Sequence, residues 1–83
     1  MHIVFTRHAE EKMVILAHYG FTITKQAIIS AVTKPDSRRR RGHQFTALKN
    51  IDYAHALAVV YENRNGYQKI ITIYPVRRSR YEV

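Results

Sequence analysis

The sequence predicts a single α+β domain, in which two N-terminal helices pack on a C-terminal twisted antiparallel sheet of three to four strands. Apolar residues recur at helical spacing before residue 34, and segments rich in Val, Ile, Thr and Tyr follow residue 43. The dipeptide Asn65-Gly66 adds a strong short-range signal for a β-hairpin. A chain of 83 residues has room for one small core, so residues 1–83 form one domain.

The first helix is predicted to follow a short strand at Ile3–Phe5. Thr6 is a suitable N-cap for a helix over residues 7–19, and Gly20 ends it. The residues spaced to face the core are Ala9, Met13, Leu16 and Ala17.

A second helix follows and ends before a proline. Either Thr22 or Thr24 caps it, and Pro35 stops it. The residues predicted to face the core are Ala27, Ile28, Ala31 and Val32. The run Arg38–Arg41 is then predicted to form a basic loop between the helices and the sheet.

The remaining strands are predicted at Gln44–Lys49, Tyr53–Glu62 and Tyr67–Tyr74. A two-residue turn at Asn65-Gly66 sets the register of the hairpin. The predicted pairs are Glu62–Lys69, Tyr61–Ile70, Val60–Ile71, Val59–Thr72, Ala58–Ile73 and Leu57–Tyr74. One face of this hairpin is small and aliphatic and is predicted to pack against the helices. The opposite face could hold a ligand and carries Tyr61, Thr72, Tyr74 and His55.

Composition excludes several classes of protein. Hydrophobic residues make up 46% of the chain and charged residues 24%, which is typical of a folded domain rather than a disordered one. The absence of cysteine excludes a disulfide scaffold and a thiolate zinc site, and it agrees with a cytoplasmic location. The N-terminus has no signal-peptide pattern, and the apolar runs are far shorter than the roughly 20 residues that span a bilayer. We therefore expect no membrane partner.

The charge of the chain points to a polyanionic partner, with nucleic acid first. The formal charge is +8, and residues 34–50 contribute +5 of it while residues 77–83 contribute +2. The first of these clusters contains Arg38, Arg39, Arg40 and Arg41, and the second contains Arg77, Arg78 and Arg80. Arg38 to Arg41 and Arg78 are accordingly predicted to bind nucleic-acid phosphates.

Candidate catalytic groups are limited to His, Lys, Arg and Tyr. The five histidines lack the spacing of a helical or finger-type metal site, so no metal and no cofactor are expected. A phosphate-binding glycine loop and a serine elbow are also missing. The remaining groups suit a phosphodiesterase that uses the RNA 2′-hydroxyl as its nucleophile, although plain RNA-binding modules contain the same residue types. His55 is interpreted as a half-buried strand residue.

Short motifs spread over nearly the whole chain resemble the small bacterial and phage domains related to RelE/ParE-type toxins. They are Thr6-Arg7-His8-Ala9-Glu10-Glu11-Lys12-Met13, Pro35-Asp36, Leu57-Ala58-Val59-Val60-Tyr61-Glu62, Ile71-Thr72-Ile73-Tyr74-Pro75 and Arg80-Tyr81. The resemblance implies helices packed on a twisted antiparallel sheet. It also implies a metal-independent endoribonuclease that acts on RNA, in some relatives on the ribosome, and that a small acidic antitoxin neutralises.

The same resemblance suggests roles for five residues. Lys49 resembles a basic residue of the first sheet strand, and Arg77 or Arg80 resembles a phosphate-holding arginine. His8 or Tyr81 would exchange protons. Two alternatives stay open: a non-catalytic module that binds nucleic acid or protein, and a ParE-type toxin directed at DNA gyrase, because the fold alone does not determine activity.

Overall fold

The computed structural model describes residues 2–80, and it places two helices on one face of a five-stranded sheet. The elements in chain order are β1 (Ile3–Phe5), α1 (Arg7–His18), α2 (Lys25–Thr33), β2 (Ser37–Arg41), β3 (Gln44–Asn50), β4 (His55–Arg64), β5 (Tyr67–Arg77) and a 3-10 turn (Arg78–Arg80). The strands lie in the order β1-β5-β4-β3-β2. The predicted α+β class is confirmed, whereas the predicted sheet of three to four antiparallel strands is wrong.

The extra strand on one edge is the arginine run, which was predicted to be a loop. Ser37–Arg41 forms β2 and pairs antiparallel with β3, with Arg41 opposite Gln44 and Ser37 opposite Leu48. Gly42 allows the tight turn between them because it adopts a φ of +62°. An edge strand can carry four arginines because its side chains reach solvent on both faces of the sheet.

The opposite edge makes the sheet mixed rather than antiparallel. The strand predicted at Ile3–Phe5 is confirmed, but it pairs parallel with β5, with Phe5 opposite Ile70. Thr6 leads directly from this strand into α1, since its amide donates to the Ile70 carbonyl and its hydroxyl oxygen accepts from the Ala9 amide. This pairing brings together residues 3–5 and 68–70, which are far apart in the sequence, so no local sequence pattern indicates it.

Both helices begin at the predicted caps. Thr6 caps α1 and Thr24, rather than Thr22, caps α2, each accepting a hydrogen bond from the amide three residues later. α2 ends two residues before Pro35, as the ring requires. Ala9 and Leu16 face the core as expected, but Ala17 is exposed. Neither helix of residues 2–80 is long and apolar enough to cross a lipid bilayer.

A β-bulge changes the register of the hairpin. The predicted pairs next to the turn are confirmed, since Glu62 lies opposite Lys69 and Tyr61 opposite Ile70. The register then shifts between Val60 and Tyr61, so that Val60 lies opposite Thr72. The four predicted pairs beyond this point are each wrong by one residue. A bulge adds one residue to one strand, and the spacing counted from the turn cannot show it.

The face of β4 that packs against the helices is the opposite of the one predicted. Leu57, Val59 and Tyr61 point towards α1 and α2 and are at most 1% exposed. These side chains are larger than Ala56 and Ala58 on the other face, and they fill the space between the sheet and the helices. Tyr61 is therefore a core residue. His55 projects from the same face of β4 as Tyr61, so neither of them shares the predicted ligand-facing surface with Thr72 and Tyr74, which project from the opposite face. The core cluster consists of Ala9, Leu16, Ile23, Ile28, Ala31, Val32, Ala47, Leu57, Val59, Tyr61, Ile70 and Ile73.

Candidate functional site

The edge strand β2 presents its four arginines on two sides of the sheet. Residues that pair across antiparallel strands project from the same face. Arg38 and Arg40 therefore share the helix-bearing face with Phe45, and their guanidinium carbons lie 5.6 and 5.7 Å from the centre of its ring. Arg39 and Arg41 project from the opposite face. All four side chains are exposed, which is the placement that contacts with phosphates need.

A second polar cluster forms where the chain enters β4. The carboxylate oxygen Oδ1 of Asp52 accepts hydrogen bonds from the backbone amides of Ala54, at 2.8 Å, and His55, at 2.7 Å. The amides of Ile51 and Asp52 in turn donate to the His55 carbonyl. These bonds close a tight loop and hold the Asp52 carboxylate beside the first residue of β4.

The His55 ring is oriented by this carboxylate. Its Nδ1 lies 3.1 Å from Asp52 Oδ1, and the ring forms a T-shaped contact with Phe21, with ring centres 5.1 Å apart. Nδ1 bound to a carboxylate carries the proton, so the neutral ring keeps Nε2 as its acceptor. The His55 side chain is 31% exposed, which confirms the predicted half-burial and leaves part of the imidazole open to solvent.

The pKa of Asp52 lies below its ordinary value of 3.8. Desolvation acts to raise this pKa, but hydrogen bonds from the Ala54 and His55 amides and the contact with the His55 ring outweigh it. Asp52 is therefore ionised at neutral pH and available to orient the imidazole.

This shift predicts a pH-dependent contribution of Asp52 to stability. A carboxyl group with a lowered folded pKa contributes stability that is present above its unfolded pKa and lost as pH falls through the folded value. We expect Asp52→Asn to have a lower urea midpoint than the wild type at pH 7, and the gap to narrow as pH falls below 3.8. Urea titrations followed by circular dichroism between pH 2.5 and 7 would measure the gap. Glu11→Gln, in an exposed ion pair with Arg7, is the matched control. A gap that is constant with pH would contradict the assignment.

Arg77, the last residue of β5, and Arg78, the first residue of the 3-10 turn, adjoin this cluster. Arg77 lies directly opposite His55 in the register of β4 and β5, so its side chain leaves the same face beside the imidazole. Within residues 2–80, no hydrogen bond or ion pair involves the Arg77 side chain. Arg78 holds the loop, since its amide donates to the Ala54 carbonyl and its Nη1 lies 3.3 Å from the Tyr53 carbonyl.

Two open clefts are lined by neighbours of His55. One, of about 370 Å³, is lined by Tyr53, Ala54, Arg77, Arg78 and Ser79. The other, of about 350 Å³, is lined in part by Phe21 and Asp52, the two residues whose side chains contact the His55 ring. A ligand phosphate in the first cleft would meet Arg77, which is the one arginine of this pair without a described partner.

The structure does not bring the predicted catalytic residues together. His8 lies at the start of α1, where its Nε2 is 3.1 Å from Thr72 Oγ1. Thr72 is five residues from Arg77 along β5, a separation of roughly 17 Å. Lys49 donates from Nζ to the carbonyl of Lys34 at the end of α2, over 2.9 Å. The His8 side chain thus lies away from the His55 cluster. Lys49 lies opposite Leu57, two residues from His55 on the same face of the sheet, but its Nζ is bound at the end of α2.

The last two predicted residues lie at the C-terminus. Arg80 is exposed in the 3-10 turn that follows β5. Tyr81 falls outside the described residues. Within residues 2–80, no three His, Asp or Glu side chains are grouped as metal ligands.

Asp52 and His55 are the polar pair that sequence reasoning missed. One signal was present in the sequence. The carboxylate of an Asp just before a strand can form a turn by accepting hydrogen bonds from the backbone amides two and three residues later. The pairing of His55 with Arg77 depends on the bulged register and could not be read from the turn.

Comparison with known proteins found no relative: no family model, no curated protein and no solved structure matches the chain. The resemblance to RelE/ParE-type toxins therefore stays a prediction carried by the short motifs quoted above.

Proposed function

We propose that the protein binds RNA and cleaves it without a metal ion, as the toxin of a toxin–antitoxin pair. The observation that carries this proposal is the His55–Asp52 pair beside Arg77, on a chain with a formal charge of +8. An oriented imidazole supplies a proton acceptor, and an adjacent guanidinium supplies a binding group for a phosphate whose negative charge grows during reaction.

In the proposed reaction, the ribose 2′-oxygen attacks the adjacent phosphorus. His55 Nε2 takes the 2′-hydroxyl proton, and Asp52 stabilises the imidazolium that forms. The bond between phosphorus and the 5′-oxygen breaks, and the leaving oxygen takes a proton from a second acid, for which Tyr81 is the candidate. The products are a 2′,3′-cyclic phosphate and a 5′-hydroxyl, so atoms and charge balance without an added reactant.

The cationic groups divide between the scissile phosphate and its neighbours. In this proposal Arg77, which lies opposite His55, holds the reacting phosphate, and Arg80 in the following 3-10 turn supports it. Arg38 lies two strands and about four residues from His55, a separation of roughly 16 Å. The β2 arginines would accordingly hold backbone phosphates that flank the cleavage position. His8 remains the second candidate for proton transfer, and Lys49 remains a second candidate for holding the phosphate. Both roles rest on the family resemblance.

The second candidate function is a nucleic-acid-binding module without catalysis. The observation that favours it is the β2 strand itself, since four exposed arginines bind phosphates whether or not any bond is cleaved. A small acidic antitoxin could occupy the same cationic surface in either case.

Incubation of purified protein with a labelled single-stranded RNA tests the proposal. We expect cleavage in EDTA, with 2′,3′-cyclic phosphate ends on the 5′ fragments. Replacing the nucleotide at the cleavage position with its 2′-deoxy form should block that cut, because the nucleophile is then missing. Cleavage that is lost in EDTA, or that survives the 2′-deoxy substitution, would overturn the proposed chemistry. RNA that binds and stays intact would favour the non-catalytic module.

A further inference from the structure

Three side chains form one row across three strands at the arginine edge of the sheet. Arg40 lies opposite Phe45, and Phe45 lies opposite Tyr61. The two aromatic rings stack, with centres 5.4 Å apart and planes 17° from parallel. The guanidinium groups of Arg38 and Arg40 lie over the Phe45 ring. The result is a column with a buried aromatic base and a cationic outer layer.

The column is held in place from both ends. Tyr61 is 1% exposed and belongs to the core, so it fixes one side of the half-buried Phe45 ring. At the outer end, Arg40 Nε donates to the Gly42 carbonyl over 3.1 Å, which restrains its guanidinium. Both arginines are exposed, so guanidinium groups that lie over an aromatic ring are accessible to a ligand from solvent.

We propose that this column binds the faces of unpaired nucleobases, which makes single-stranded RNA the ligand class of the β2 surface. The proposal rests on the RNA binding proposed above. Bases stack on aromatic rings and on guanidinium planes with little regard to sequence. A duplex offers this column only its phosphates, because its bases are already stacked on one another. Single strands should therefore bind more tightly than duplexes of the same length.

The two faces of β2 provide a built-in comparison. Arg39 and Arg41 lie opposite Thr46 and Gln44, so this pair has no aromatic residue directly across the strand. Substituting either pair of arginines with lysine keeps the net charge but removes the planar group. The double variants R38K/R40K and R39K/R41K thus differ in stacking while matching in charge.

The experiment measures the affinity of each double variant for a single-stranded RNA and for the matching duplex at fixed salt. We expect R38K/R40K to lose at least about fivefold in single-strand affinity, since stacking contributes about 1–3 kcal/mol per base. Its duplex affinity and its salt dependence should stay as in the wild type, because the charge is unchanged. R39K/R41K should keep the single-strand preference. A 2-aminopurine in the RNA should lose fluorescence on binding to the wild type and recover it with R38K/R40K.

Equal single-strand affinity in R38K/R40K and the wild type would overturn the stacking proposal, as would equal losses in the two double variants. Phe45→Leu gives a second measurement that keeps an apolar side chain against Tyr61, and its fold is checked by circular dichroism. We expect it also to lower single-strand affinity selectively, and an unchanged preference would count against stacking. Failure of the proposed function has a different signature, because the wild type would then bind neither form of RNA.

Discussion

Replacing His55 with alanine is expected to lower the rate of RNA cleavage about 100- to 10,000-fold, the usual contribution of a positioned proton-transfer group. RNA affinity should stay close to that of the wild type, because even the nearest β2 arginine, Arg38, is roughly 16 Å from this side chain. The rate is measured in single-turnover reactions with saturating protein, so that it reports cleavage rather than binding.

The same assay on His8→Ala and Tyr81→Phe distinguishes the competing assignments. His8 contacts Thr72 at the edge of the sheet, far from Arg77 along β5. If His8→Ala removes cleavage while His55→Ala retains it, proton transfer belongs to the start of α1 and the assignment to His55 is wrong. Loss of activity in both His55→Ala and Tyr81→Phe would identify the base and the acid. Cleavage with both His55 and Tyr81 substituted would overturn the mechanism.

Replacing all four arginines of β2 with glutamine is expected to weaken RNA binding on the order of 100-fold at 0.15 M salt. Each phosphate contact on a single strand contributes about 0.7 to the slope of log affinity against log salt, so four contacts contribute about 3. The slope measured by titration at several salt concentrations should fall by that amount. Glutamine is shorter than arginine, but it is polar and uncharged and suits an exposed edge strand, so the fold should survive.

A variant with four lysines in place of Arg38–Arg41 provides the charge-matched control. Its salt slope should equal that of the wild type even where stacking is lost, since the number of cations is the same. A glutamine variant with an unchanged salt slope would show that RNA binds elsewhere on the protein. Arg77 and Arg78 would then be the next cations to substitute.

The two experiments together distinguish the enzyme from the binding module. Loss of cleavage with retained affinity in His55→Ala supports the enzyme. A wild type that shows the predicted salt slope but never cuts RNA supports the binding module. DNA damage in cells with intact RNA would instead point to a gyrase-directed toxin.

Local features of the sequence determined the ends of the helices and the position of the hairpin. Thr6 and Thr24 cap their helices because their side chains accept the amides three residues later, and Pro35 prevents the second helix from continuing. Asn65-Gly66 turns the chain where predicted, and Gly66 takes a φ of +81°. Asn65 keeps a negative φ, so the turn is not of type I′, which needs a positive φ at both residues. The excess of positive charge in residues 34–50 and 77–83 also follows from the sequence alone.

The tertiary structure decided which segments pair and which faces they bury. The run Arg38–Arg41 has weak strand character by itself. It forms a strand because its backbone pairs with the edge of β3, while its charged side chains stay in solvent. The bulge between Val60 and Tyr61 moves the remaining pairs by one residue, and that shift places Arg77 opposite His55.

The difference between what the sequence determined and what the tertiary structure decided has a single physical reason. Caps and turns depend on hydrogen bonds between residues a few positions apart, so their signals lie within a short stretch of sequence. The candidate site depends on the pairing of β4 with β5, and the stacking column depends on the pairing of β2 with β3 and β4. These contacts join distant segments, and their register is selected by the side chains that best fill the space beneath the two helices.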